Sequence, residues 1–280
     1  MPFLSIVIIA IVQGITEFLP ISSSGHLLLT HWALQGAEAQ NNYAQNHLFD
    51  IAVHVGTLLA VLLYFRKDVL SLIQGALATV LRTNRKTDAS ESRHLFLMVI
   101  LASLPVILAG LALQLWQPAF LNWLTLIAIT NIVFGLLLYW ADQKGTQTKS
   151  VSELTLGQAF LIGVAQIFAL APGTSRSGVT MTAGLFFQLT RAEAARFSLL
   201  LAIIAIAGAG TLGALDLMQS GDFQLGLDIA LAAFLSFLTA YAAIFAMMKW
   251  LERATFTPFV IYRIAFGIIL LILIQQGVFA

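Results

Sequence analysis

The stretch Ala171-Pro172-Gly173-Thr174-Ser175-Arg176-Ser177-Gly178-Val179-Thr180 decides the fold, because it sets small polar residues and one arginine inside sequence that is otherwise apolar. Pro172 and Gly173 end any helix that reaches them, and Thr174 or Ser175 is suited to cap the helix that resumes. A broken helix is predicted. The N-terminus of the resumed helix carries unpaired N–H groups and about half a positive charge, to which Arg176 adds. The stretch is therefore predicted to bind an anion, phosphate first.

A second stretch has the same layout: Gln13, Glu17, Pro20, the triple serine Ser22-Ser23-Ser24, then Gly25 and His26. Aligning Pro20 with Pro172 sets the three serines over Thr174, Ser175 and Arg176, and brings Gln13 within one residue of Gln166. This reads as an internal repeat.

Composition places both stretches in a membrane. Of the 280 residues 59% are hydrophobic and 10% charged, and the mean hydropathy is +0.91, far from the balance of a soluble domain. A net charge of +1 argues against a nucleic-acid partner, which calls for a basic face; membrane lipid or a small solute is expected instead. Without cysteine there are no disulfides or thiolate metal sites, which leaves oxygen ligands. The apolar start has no basic leader or small-residue cleavage site and is interrupted by Gln13 and Glu17, so it is expected to belong to the fold.

Residues 3–34 form an apolar run broken at Pro20, each part too short to cross about 30 Å of hydrocarbon, and are predicted to be a re-entrant hairpin. Residues 154–189 are predicted to form a second around Pro172. Six spans are expected, over Leu48–Phe65, Leu95–Gln114, Leu121–Trp140, Phe197–Met218, Leu225–Met248 and Thr257–Phe279. In the first, Asp50 and His54 at i and i+4 face inward, and His54 reads as a packing residue. His31, His47 and His94 are expected in loops or at interfaces. Between Arg66 and Arg93, apolar residues at helical spacing among six basic ones predict an amphipathic helix on the cytoplasmic surface.

With Gly36–His47 and the turn at Pro118 outside, twelve of the fourteen Lys and Arg residues fall in internal loops, as the positive-inside rule requires. Arg176 and Arg263 lie in membrane segments, and Arg263 is expected to snorkel to the interface. The expected architecture is thus an all-α polytopic membrane protein, a single domain over 1–280. Inverted repeats lie near 1–140 and 153–280, with a connector at 66–93 and broken helices that meet at the midplane.

At that meeting point Gln13, Glu17, Ser22, Ser23, Ser24 and His26 would face Gly173, Thr174, Ser175, Arg176, Ser177 and Thr180. This is an inventory for phosphoryl transfer: an arginine fork and helix-end N–H groups for phosphate oxygens, a hydroxyl or water to attack, and Glu17 to bind a divalent cation or accept a proton. Mg²⁺ or Ca²⁺ suits such oxygens. Ser23 is preferred as nucleophile over His26 and water, because it stands at the start of the resumed helix, with His26 one turn further on.

The two motifs, Gln13-x-x-x-Glu17 with Pro20 and Ser-Ser-Ser-Gly-His, and Pro-Gly-Thr-Ser-Arg-Ser-Gly-Val-Thr, resemble the signatures of the undecaprenyl-diphosphatase (bacitracin resistance protein) family over essentially the whole chain. The resemblance implies a bacterial inner-membrane phosphatase that removes the terminal phosphate of undecaprenyl diphosphate, depends on a divalent metal, and recycles the lipid carrier of wall synthesis. It implies Glu17 as the essential glutamate, Ser23 as nucleophile, His26 as motif histidine and Arg176 as phosphate-binding arginine. Many members carry glutamate where this chain has Gln13, which argues against a direct metal-ligand role there. A homodimer is compatible with the reading. The competing class is a lipid transporter or flippase, since inverted repeats with broken helices are also transporter architecture.

Overall fold

Both expected breaks are where the chain turns. In the computed structural model, which describes residues 2–36, 43–81, 87–116, 124–144, 146–220 and 223–279, helix α1 (Phe3–Thr16) gives way to a turn at Glu17 and α2 (Ser23–Gln35) starts after Ser22. In the second half α7 (Leu156–Gln166) tightens into a 3₁₀ turn, Ile167–Leu170, and α8 (Arg176–Phe186) starts after Ser175. The serine before each resumed helix has positive φ, 73° at Ser22 and 68° at Ser175. Such a backbone is uncommon outside glycine. This shared geometry corrects the proline alignment by one residue. Ser22 matches Ser175, Gln13 matches Gln166 nine residues earlier in each copy, and Gly25 matches Gly178. In this register Pro20 falls opposite Gly173, itself at φ +86°.

The remaining helices are α3 (Tyr43–Tyr64), α4 (Arg66–Val80), α5 (Thr87–Trp116), α6 (Leu124–Lys144), α9 (Arg191–Ser220), α10 (Phe223–Leu251) and α11 (Thr257–Gln275). Among the described residues four segments are long and apolar enough to cross a membrane: Ser90–Leu113, Leu124–Lys144, Gly226–Leu251 and Thr257–Gln275. They coincide with four of the six expected spans. The expected span in α3 passes the same test only together with α4, across an 87° bend. That bend sends α4, the expected amphipathic helix, sideways against α5. Much of the expected span Phe197–Met218 lies, like the Pro118 turn, most of the Gly36–His47 segment and Arg82, Arg85 and Lys86, outside the residues described in full.

Packing places α1 against α10 and α7 against α5, while α3 meets α9 and α6 meets α11. The α3–α10 crossing is close: a Cβ on Gly56 would stand 2.1 Å from the Ala233 carbonyl oxygen, the small-residue contact typical of membrane helices. Outward faces stay apolar, with Leu108, Leu111, Phe234, Phe245, Ile261 and Ile269 exposed. Segments expected to be internal gather at one end of the bundle. There buried Asp142 accepts from Arg191 Nε and from the Phe256 N–H (3.0 Å), and Arg196 pairs with Asp68 and Glu193.

The second break is fixed to α6, where Thr130 Oγ1 donates to the Pro172 carbonyl (2.7 Å). A Cβ on Gly173 would fall 2.2 Å from Thr130 Oγ1 and 2.5 Å from the Ile127 carbonyl oxygen. Both the positive φ and the contact exclude a side chain. Gly173→Ala is therefore expected to destabilise the fold by about 2–4 kcal/mol, measured as a lowered midpoint in thermal unfolding of the detergent-solubilised protein; an unchanged midpoint would show that the break is not constrained there.

Candidate active site

Glu17 is the centre of the site because the end of α1 leaves its carboxylate between the two breaks. It is buried, and both oxygens are engaged: Oε2 accepts from Gln13 Nε2 (2.9 Å) and Ser23 Oγ (2.9 Å), and Oε1 accepts from Arg176 Nη2 (3.1 Å). The sequence separation of Glu17 and Arg176 spans most of the chain, so this ion pair joins the halves directly. In so little water a paired carboxylate and guanidinium are far less costly than either alone. Among the described residues Arg176 makes one further bond, a long one from Nη1 to the Ser198 carbonyl (3.4 Å), which leaves most of its fork to receive another anion.

The two helix starts are not equivalent. At α8, Ser175 Oγ caps the Gly178 N–H (3.1 Å). At α2 no side chain among the described residues caps the first turn, which leaves its N–H groups, beside Ser23, for an incoming oxygen. Ser22 and Ser24 share a hydroxyl contact (3.2 Å), and Ser24 Oγ lies 3.5 Å from the Gly173 N–H of the other break. Ser177 Oγ bridges to Ser175 Oγ (3.1 Å) and to the Leu19 carbonyl (3.0 Å), so it too ties break to break. Thr174 is fully buried with an unpartnered hydroxyl. Thr180 turns away, bonding the Arg176 carbonyl and Ser198 Oγ (2.7 Å); it supports α8 against α9 and does not face Glu17.

His26 sits close by but does not reach Ser23. Its Nδ1 bonds the Ser22 carbonyl (2.7 Å), its Nε2 bonds Tyr262 Oη (2.6 Å), and its ring stacks on Phe266 at 4.4 Å. Because a carbonyl only accepts, Nδ1 carries the proton and the Tyr262 hydroxyl donates to Nε2. Tyr262 is a partner that sequence reasoning missed.

Two further residues depart from expectation. Arg263 does not snorkel: it is fully buried. Its Nη2 donates to the carbonyls of Gly173 (3.0 Å) and Thr174 (2.7 Å), and its Nη1 to that of Pro20 (3.4 Å). It fastens both breaks and forms no ion pair among the described residues. The reason is local. Broken backbone leaves carbonyls without helical partners, and one planar fork can satisfy several of them. His54 is hydrogen-bonded within its own helix, Nδ1 to the Asp50 carbonyl, as a packing residue is, but its Nε2 also lies 3.5 Å from Glu17 Oε2, a contact not foreseen. His31 is buried and bonds Asp50 Oδ1 (2.8 Å), so the inward face expected for Asp50 and His54 is correct but its partners were not foreseen.

A polytopic all-α membrane protein with a carboxylate, a serine hydroxyl and an arginine fork held between two broken helices is a membrane protein built to handle an anionic group at depth. The chain belongs to a known family of this kind: the family model "Bacitracin resistance protein BacA" matches residues 6–269. Its relatives include proteins named undecaprenyl-diphosphatase. That of Alteromonas mediterranea is 44% identical over 97% of this chain and 98% of its own. That of Hahella chejuensis is 45% identical over 97% and 98%, and that of Jannaschia sp. is 43% identical over 98% and 99%.

Removing the Arg263 fork would leave the Pro20, Gly173 and Thr174 carbonyls unpaired in a dry interior. Arg263→Met is expected to cost about 3 kcal/mol of stability, read as a lower unfolding midpoint and faster proteolysis near residues 19–22 and 172–175. A variant as stable as wild type would show that the carbonyls find other partners.

Proposed function

We propose that the protein hydrolyses undecaprenyl diphosphate to undecaprenyl phosphate and inorganic phosphate in the bacterial inner membrane, recycling the lipid carrier of wall synthesis and conferring bacitracin resistance. Family membership and the names of the relatives support the substrate. The observation that carries the chemistry is the placement of Ser23 Oγ, 2.9 Å from Glu17 Oε2, with Arg176 on the other oxygen of the same carboxylate. The architecture belonging to this reading is six spans and two re-entrant hairpins in inverted repeats, 1–140 and 153–280, within one domain. Its support is the shared positive-φ serine and the paired packing of α1 on α10 and α7 on α5.

In the reaction the terminal phosphate enters between α2 and α8. Its oxygens take the free N–H groups of Arg176 and the uncapped first turn of α2, with Ser22, Ser24, Ser175 and Ser177 shaping the wall. Ser23 Oγ attacks the terminal phosphorus, Glu17 takes the serine proton, and the bridging P–O bond breaks, Glu17 passing that proton to the departing lipid monophosphate. Water then attacks the phosphoserine, Glu17 accepting its proton and handing it to Ser23 Oγ as the Oγ–P bond breaks and phosphate leaves. His26 gives its Nδ1 proton to the Ser22 carbonyl and accepts from Tyr262 at Nε2, so its part in this reading is to hold the first turn of α2 and not to donate a proton.

The donor set fits a divalent cation. Beside the Glu17 carboxylate lie serine hydroxyls and Gln13 Oε1, a buried oxygen with no hydrogen-bond partner. Among the described residues no three His, Asp or Glu side chains cluster as ligands, so Glu17 would hold Mg²⁺ or Ca²⁺ together with oxygens of the diphosphate. Bound there, the ion would supply charge neutralisation on the phosphoryl oxygens. A flippase explains the helix ends and Arg176 but has no use for a serine hydroxyl aimed at Glu17.

Purified protein in detergent is expected to release phosphate from a polyprenyl diphosphate and to stop in EDTA; no release with any divalent ion would sink the enzyme reading. Ser23→Ala should lose at least about a thousandfold in turnover, and a loss within about tenfold, ~1.4 kcal/mol of barrier, would remove the serine as nucleophile. Arg176→Lys should fall about a hundredfold or more, since a point charge does not replace the fork. Near-wild-type turnover in that variant would show that charge alone is used.

A further inference from the structure

We propose that His54 is a nitrogen ligand of the divalent-cation site at Glu17, which moves this chain's metal preference from Mg²⁺ and Ca²⁺ toward Mn²⁺, Co²⁺ and Zn²⁺. The proposal rests on the phosphatase reading for the presence of a metal, and on geometry for the ligand. His54 Nδ1 lies 2.5 Å from the Asp50 carbonyl oxygen. A carbonyl has no proton to give, so Nδ1 carries a proton, and in the neutral ring Nε2 is the nitrogen left with a lone pair to ligate. That lone pair faces Glu17 Oε2 at 3.5 Å.

In the neutral ring two lone-pair atoms face each other and repel unless a cation stands between them. Arg176 cannot be that cation, because it is engaged on Oε1. The spacing suits a metal: two ligands each about 2.0–2.2 Å from a tetrahedral ion stand about 3.4 Å apart. The surroundings follow the pattern of ligating side chains, in which a histidine's second nitrogen is bound to a carbonyl and the carboxylate is itself hydrogen-bonded. Here Asp50 serves the first and Gln13, fully buried, serves the second. The His54 side chain keeps 31% exposure against 6% for Glu17, so an ion arriving with a diphosphate meets the imidazole from the open side.

Imidazole binds borderline transition ions well, and Mg²⁺ or Ca²⁺ poorly, whereas a carboxylate with serine and amide oxygens alone favours the hard ions. One histidine therefore changes the selection. It also supplies a ligand on the α3 side of the site, where the first helix offers only the neutral Gln13.

The test is pulsed EPR on the full-length protein in detergent, loaded with Mn²⁺ and methylenediphosphonate. Wild type is expected to show ¹⁴N modulation from a directly bound nitrogen, replaced by ¹⁵N lines when histidine is ¹⁵N-labelled, and lost in His54→Gln. Phosphate release supplies a second reading: the ratio of kcat/KM with Mn²⁺ to that with Mg²⁺ should drop at least tenfold in the variant. Absence of nitrogen modulation in the labelled and unlabelled wild type would overturn the proposal without need of any variant, as would an unchanged metal ratio in a folded His54→Gln. If no divalent ion supports phosphate release, the phosphatase reading falls, while the wild-type spectrum still decides whether His54 holds the metal.

Discussion

Hydrocarbon does not hydrogen-bond, and this governs the whole molecule. A helix may be interrupted inside a membrane only where something replaces the lost backbone bonds. Here the replacement is mutual. Each break is sealed largely by groups belonging to the other or to the helix behind it: Ser177 on the Leu19 carbonyl, Thr130 on Pro172, and Arg263 on Pro20, Gly173 and Thr174 together. Neither break is satisfied alone, so the two halves must close on each other.

That closure is also what makes the site. A buried carboxylate is costly, and Glu17 is stabilised by an arginine from the other half, by Gln13 from its own helix and by Ser23 from beyond the turn. The same contacts set the chemistry. The serine proton points at a carboxylate, and the arginine is held to Glu17 by Nη2 and only loosely to the Ser198 carbonyl by Nη1. In the proposed reaction, a phosphate that draws Arg176 off Oε1 makes the carboxylate a stronger base for the proton that Ser23 donates to Oε2, so one ion pair couples binding to activation.

Much of this was legible in the sequence, and the limits are physical. The breaks, the broken-helix chemistry and the residues Glu17, Ser23 and Arg176 could be read from local rules, because proline, glycine and charge are conspicuous in apolar sequence. The register of the repeat could not be fixed, because prolines mark where a helix ends and not where the next begins; the positive φ at Ser22 and Ser175 gives the true match. Arg263 looked like a snorkelling residue near a helix start. Its burial depends on a vacancy left by two loops far away in sequence, which no local pattern reports. His54 had the same problem. The i, i+4 pair with Asp50 showed a polar face, but only the folded chain shows that this face looks at Glu17.

The two breaks are alike in backbone but not in side chains. The residue following each positive-φ serine is Ser23 in one half and Arg176 in the other, so the candidate nucleophile and the phosphate-binding arginine occupy matching positions at the starts of matching helices. Glu17 corresponds to Leu170, and His26 to Val179. Two copies of one backbone device bring two helix N-termini to the same place, and divergence at a few positions divides the labour. In the proposed reaction the first of them carries the groups that move protons and attack, the second the group that holds charge. Likeness of the two breaks accounts for their meeting; the differences between them give that proposed reaction its direction, the phosphoryl group being taken by one helix start and held by the other.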